Sequence, residues 1–273
     1  MRHLLAVLNH VETAPVVLAA ARWVARRLPG ARIDVLHVRP ASDPSFMPTE
    51  EIMTPARRAQ FEANAAARSA ALRGIFDAWR GEAGADLDAA WREETGEQAA
   101  VVGRECGEVD LVLIGRGLHH AAGDGHAAIQ AALFAAGAPM ILVPQAVPAT
   151  LGAHIAIAWK PGETAERAVV AATPLLRAAE RVTVLIGAES GDQTPPPPVL
   201  TQALAGRTLV ADMHRFAMAG DTIGPALLRA ARDVGADLLV MGAYEHRRST
   251  ELLLGGATRE ILAEADLPVF LHH

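Results

Sequence analysis

The chain carries one order of signals twice, and this constrains its fold more than any other feature. "DLVLIG" at 110–115 returns as "DLLVMG" at 237–242. "AGAPMILVP" at 136–144 returns as "ADLPVFLHH" at 265–273, and "HLLAVL" at 3–8 as "HIAIAW" at 154–159. A self-similar pattern of this kind marks a duplicated unit. Between the copies, the stretch "PQAVPATLG" breaks the apolar pattern with two prolines and a glycine. The 273 residues therefore divide into two modest domains, 1–148 and 149–273.

Each copy reads as five strands. The first offers "LLAVL", "IDVLHV", "LDAAWRE", "DLVLIG" and "PMILV"; the second offers "HIAIAW", "VTVLIG", "TLVADMHR", "DLLVMG" and "PVFLH". Several are continuous apolar runs, the form taken by strands buried on both faces. Helical patterns separate them. The clearest is "DTIGPALLRAARDVGA", in which Asp221 stands at the cap and Pro225 in the first turn. Ile223, Ala226, Leu227, Ala230 and Val234 share one face, and Gly235 stops the helix. Strands alternating with helices predict an α/β fold: in each domain a doubly wound parallel sheet with helices on both sides.

The copies differ between their second and third strands. The first inserts a long segment that starts as a loop and continues as a long helix from about Pro55. The second has a shorter segment with four consecutive prolines, read as a stiff surface loop entering a short helix.

Composition excludes several classes of function. A net charge of −6 argues against a nucleic-acid binder, which would show a basic stripe, although "EHRRS" is locally basic. The single cysteine, Cys106, allows no internal disulfide and suits a reducing, cytoplasmic setting. It reads as a buried small residue of the helix in "VVGRECGEVD". The N-terminal "MRHLLAVLNHVETA" lacks the pattern of a signal peptide. "AAIQAALFAAGAPMILV" reads as a helix, a break and a strand, so no membrane span is expected.

Ligands of open α/β sheets sit outside the carboxyl ends of the strands. "MGAYEHRRSTELLLGGATRE", at 241–260, leaves from such an end. Gly242 lets the chain turn sharply, and Gly255 and Gly256 open the last helix. A helix start offers N–H groups and partial positive charge to a phosphate. Ala257 and Thr258 fall in that first turn, and His246, Arg247 and Arg248 add positive charge in the loop.

With these residues in view, nearly the whole chain resembles the universal stress protein family in its tandem, two-domain form. The likeness is strongest in "GADLLVMGAYEHRRSTELLLGGATREILAEADLPVFLHH". It extends to "HIAIAWKPGETAERAVVAATPLLRAAERVTVLIG" and, in the first copy, to "WREETGEQAAVVGRECGEVDLVLIGR". The resemblance implies a five-stranded parallel sheet per domain, of the adenine nucleotide alpha hydrolase-like type. It also implies a pseudo-twofold pairing of the domains through their last strands, "PMILVP" and "PVFLHH". Many members bind ATP through a glycine, two residues, a glycine, nine residues, a glycine, then serine or threonine. Gly242 and Gly255 hold the first and third positions, while Glu245 replaces the second glycine and Gly256 the hydroxyl residue. Thr258 stands where many members carry a further hydroxyl.

The departures matter. A carboxylate 4 Å from a phosphate charge costs about 4 kcal/mol at an effective dielectric of 20. Glu245 therefore closes the cradle unless it turns outward or pairs with Arg247 or Arg248. Where ATP-binding members carry Asp at the end of the first strand, the copies have Asn9 and Lys160. Lys160 cannot accept a bond from a ribose hydroxyl. In the first copy, "RGLHHAAGDGHAAIQAALF" keeps Gly117, Gly123 and Gly125 but loses the spacing, which reads as a degenerate structural copy. His119, His120 and His126 lack the partners of a metal site. No nucleophile elbow, P-loop lysine or zinc-protease motif is present.

The expectation is a cytoplasmic regulatory protein of the stress response, not an enzyme beyond weak ATP hydrolysis. Residues Gly242, His246, Arg247, Gly255, Gly256, Ala257 and Thr258 would take an adenine nucleotide, ATP with Mg. The protein would carry no nucleic acid or membrane partner, act through an unidentified protein partner, and pair its domains internally, with a homodimer left open. The alternative is a nucleotide-free structural or interaction module of the same fold.

Overall fold

The computed structural model describes residues 1–42, 54–83, 87–117, 128–135, 137–146, 149–187, 197–206, 211–243 and 256–273. The first half contributes β1 (His3–Val7), α1 (Ala14–Arg27), β2 (Arg32–Pro40), α2 (Pro55–Ala83), β3 (Asp88–Gly96), α3 (Gln98–Cys106), β4 (Leu111–Gly115), a π-helical segment (Ala131–Ala135) and β5 (Met140–Val143). The second contributes β6 (His154–Ala158), α4 (Glu163–Ala178), β7 (Arg181–Gly187), α5 (Pro198–Ala203), β8 (Asp212–Phe216), α6 (Ile223–Asp233), β9 (Leu238–Gly242), α7 (Gly256–Glu264) and β10 (Val269–His272).

The ten strands form one sheet in the order β3-β2-β1-β4-β5-β10-β9-β6-β7-β8. Pairing is parallel within each half and antiparallel where β5 meets β10. There Val269 faces Leu142, Phe270 faces Ile141 and Leu271 faces Met140. The expected pairing through the last strands is therefore present, and it removes two edges that would otherwise template further strands. The halves meet between Val143 and His154.

The strands are buried on both faces because helices cover both. One core gathers α1, α2, α4 and α5 against Leu4, Ile33, Val35, Ile155 and Val184. The other gathers α3, the π-helical segment, α6 and α7 against Leu5, Val112, Leu142 and Leu239. The two halves thus superpose by a half-turn about an axis normal to the sheet, with α1 packed beside α4.

The repeated sequence has repeated work. Asp110 accepts hydrogen bonds from the N–H groups of Arg2 (2.6 Å) and His3 (3.0 Å). Asp237, at the same place in the second copy, accepts three, from Gly152 (2.8 Å), Ala153 (3.1 Å) and His154 (3.1 Å). Each carboxylate fastens the start of its domain's first strand. His3 Nε2 lies 2.9 Å from the buried Asp34, and His154 Nε2 lies 2.8 Å from Thr183 at the matching place. Burial pushes the Asp34 carboxyl up, but bonds from Arg32 and His3 outweigh it and hold it below its ordinary value.

Two local expectations need correction. Asp221 does not cap α6; it pairs with Arg229. The cap comes from the neighbouring helix, where Glu260 Oε2 accepts from Gly224 N at 2.8 Å. Ile223 does not join the buried face; it is 36% exposed, while Leu228 and Ala231 are buried. Gly235 does end α6, at φ +71°, with Ala236 N donating to Ala231 O at 2.9 Å. Cys106 is buried as expected, and burial, with Glu105 beside it, pushes its thiol up to about 12. Among the described residues no helix is long and apolar enough to cross a membrane.

His37, on β2, is 1% exposed; its Nδ1 pairs with Leu8 O at 3.0 Å and its Nε2 has no partner among the described residues. Burial lowers its pKa from the ordinary 6.5, and burial also lowers those of His154 and His272. The unfolded chain therefore binds protons that the folded chain refuses. The stability these groups contribute is complete above pH 6.5 and is lost as pH falls through that value. The lowered carboxyls of Asp34 and Asp110 act below 3.8, outside this window. The urea midpoint is expected to fall between pH 7.5 and 5.5, with His37 supplying a slope of up to about 1.4 kcal/mol per pH unit. A His37→Gln variant should lose that share of the slope.

Candidate functional site at the sheet's carboxyl edge

In each half the strand order reverses direction between the first and fourth strands, at β1/β4 and at β6/β9. The chain leaves these neighbouring strand ends toward opposite faces, which opens a crevice between them. In the second half the crevice is bounded by Trp159 and Lys160 after β6, by Gly242 and Ala243 at the end of β9, and by the starts of α4 and α7.

Gly242 has a defined steric role. A Cβ placed on it would lie 2.6 Å from Thr164 C, 2.7 Å from Thr164 O and 2.9 Å from Ala165 N. The missing side chain is what lets the first turn of α4 rest on the end of β9. Gly115 does the same in the first half, where a Cβ would lie 2.8 Å from Thr13 Cβ and Oγ1. Reading the sequence for long repeats passes over a short one that reports this contact. "ETA" occurs at 12–14 and again at 163–165, at the start of the helix that meets each glycine.

The two helix starts differ in charge. The first turn of α4 carries Glu163 and Glu166, which already answer its dipole, and Arg167 pairs with Glu163. The first turn of α7 carries no acid. Its N-terminus is thus the better electrostatic match for an anion. Gly256 is exposed there, Ala257 half-buried, and Thr258 only 3% exposed, within the core shared with α6. A Cβ on Gly256 would meet nothing within 4 Å. Lys160 is exposed at the end of β6. The structure therefore places Gly242, Gly256, Ala257, Thr258 and Lys160 on the elements around one crevice. His246, Arg247 and Gly255 lie outside the described residues, as do Glu245 and Arg248.

At the matching crevice of the first half, Asn9 is 9% exposed and its Oδ1 has no partner among the described residues. Arg116 follows Gly115, but it reaches across the domain boundary: its guanidinium donates to Ala263 O, in the last turn of α7, at 2.6 Å. A cation at a helix C-terminus is favourable, so this arginine serves the joint between halves. Gly123, Gly125, His119, His120 and His126 lie outside the described residues.

Residues 165–273 match the model of the Universal stress protein family. The second half belongs to that family. The first half shares the fold. A universal stress protein from Archaeoglobus fulgidus superposes on the whole chain with a TM-score of 0.66. It is 14% identical over 98% of this chain and 95% of that one. A functionally unknown protein from Pseudomonas aeruginosa gives a TM-score of 0.52 at 12% identity, over 100% of this chain and 92% of that one. The cytoplasmic domain of a prokaryotic cation chloride cotransporter gives 0.50 at 11% identity, over 99% and 94%. Proteins of unlike description thus share this fold, and function has to be argued from the site. No curated protein sequence matches the chain.

Proposed function

We propose that the protein is a regulatory universal stress protein whose second domain, 149–273, binds an adenine nucleotide, ATP with Mg, at the β6/β9 crevice, while the first domain, 1–148, keeps the fold without the motif. The observation that carries this reading is the start of α7. It opens at an exposed glycine and carries no acid in its first turn, so its free N–H groups suit an anion. Gly242, Gly255, Gly256, Ala257 and Thr258 would form the cradle, with His246 and Arg247 adding charge. Lys160 would reach a phosphate rather than a ribose. The sequence offers no nucleophile elbow, P-loop lysine or zinc-protease motif, so the reading is binding with at most weak ATP hydrolysis. A cytoplasmic setting and an unidentified protein partner complete it.

One observation favours the rival reading, a nucleotide-free interaction module. Packing alone accounts for Gly242, since Gly115 does the same job in the copy that has lost the motif.

Calorimetric titration with Mg-ATP separates the two. The unmodified chain is expected to bind in the micromolar range, and Glu245→Gly to bind about tenfold tighter, by removal of a repulsive carboxylate. Binding by neither protein would assign the crevice to fold maintenance.

A further inference from the structure

The long helix gives the first half a feature the second lacks. α2 has 29 residues, about 43 Å at 1.5 Å per residue. Its first fully buried residue is Ala65, followed by Ser69, Leu72 and Phe76. Residues 55–64 thus stand largely clear of the sheet. Between this overhang and the ends of β2 and β3 lies a cleft of about 490 Å³, lined by Arg39, Ser42, Arg58, Phe61, Glu62 and Thr95. That volume suits a small metabolite. The counterpart helix α5 has six residues and builds no such wall.

Among the described residues the cleft is lined by two arginines and one acid. Elsewhere Arg32, Arg92, Arg104 and Arg181 each hold a carboxylate. Among the described residues neither the Arg39 nor the Arg58 guanidinium has an ion-pair partner, and Glu62 lies one turn from Arg58. Guanidinium groups match phosphate oxygens in geometry and charge. Phe61 adds an aromatic wall, and Thr95 stands beside Arg39 in strand register.

We propose that this cleft binds a small phosphate monoester with an apolar or aromatic body. Arg39 and Arg58 take the dianion, Ser42 and Thr95 offer hydroxyls, and Phe61 covers the body. The cleft lies at β2/β3 in the first half, apart from the β6/β9 crevice, and does not depend on nucleotide binding there.

The probe is phenyl phosphate, titrated calorimetrically into the full chain without ATP, beside inorganic phosphate. Phenyl phosphate is expected to saturate and to bind more tightly than inorganic phosphate. Arg39→Ala with Arg58→Ala should weaken it at least about tenfold and leave the urea midpoint unchanged. Phe61→Ala should bring phenyl phosphate down to the affinity of inorganic phosphate. No saturable binding by the unmodified chain, or undiminished binding by the double arginine variant, overturns the proposal; the second outcome would place the ligand elsewhere.

Discussion

Replacing Asp237 with alanine should cost about 4 kcal/mol of stability, among the largest effects of any single substitution in this chain. The carboxylate is 6% exposed and accepts three backbone N–H bonds, from Gly152, Ala153 and His154. Removing it leaves donors in and around the core with nothing to replace the bonds, at the point where the chain enters the second half. Asp110→Ala supplies the control. Its carboxylate is exposed and accepts two bonds, so water replaces it, and the expected cost is about 1–2 kcal/mol. Urea unfolding followed by circular dichroism measures both. Equal shifts for the two variants would refute the claim that burial and the third bond set the difference.

Gly242→Ala should cost about 3 kcal/mol, and Gly115→Ala somewhat less. At Gly242 the added carbon meets backbone atoms of Thr164 and Ala165, and backbone cannot rotate aside. At Gly115 it meets Thr13 Oγ1 and Val17 Cγ2, which can turn, but also Thr13 Cβ, which the backbone holds in place. Gly256→Ala meets open space and adds helix propensity, so its midpoint should hold or rise slightly. The three variants rank by what surrounds each glycine. If Gly242→Ala melted like Gly256→Ala, α4 would not rest on β9 as described. If the crevice binds Mg-ATP as proposed, Gly242→Ala should also weaken that binding, because α4 must shift to accommodate the carbon.

Much of this was legible from residues alone. The duplicated "DLVLIG" and "DLLVMG" place two equivalent strands, and continuous apolar runs mark strands covered on both faces. Pro55 marks the start of α2 because its fixed φ and missing N–H suit a first helical turn. The errors share a cause. The cap of α6 comes from Glu260, thirty-six residues after the glycine it serves, so no local pattern announces it. Ile223 fits the periodic face, but it sits in the first turn, where α6 has barely reached the core. Of the candidate cradle, Gly242 and the start of α7 were legible as a strand end and a helix start. The reason for Gly242 was not, because it is a contact with a helix seventy-seven residues earlier in the chain.

The antiparallel joint between β5 and β10 has a consequence for how such a protein changes over time. The half-turn axis passes through the pair Ile141 and Phe270. In an assembly of two identical chains the residue on that axis would face its own copy, isoleucine on isoleucine or phenylalanine on phenylalanine. Here a large ring faces a smaller aliphatic group, and both are completely buried. A covalently joined pair can accept a substitution on one side of the seam and answer it on the other. A pair of identical chains must accept every substitution twice. A covalent joint thus frees each half from the other's substitutions, so the two can differ at the seam and in the segments that follow Gly115 and Gly242.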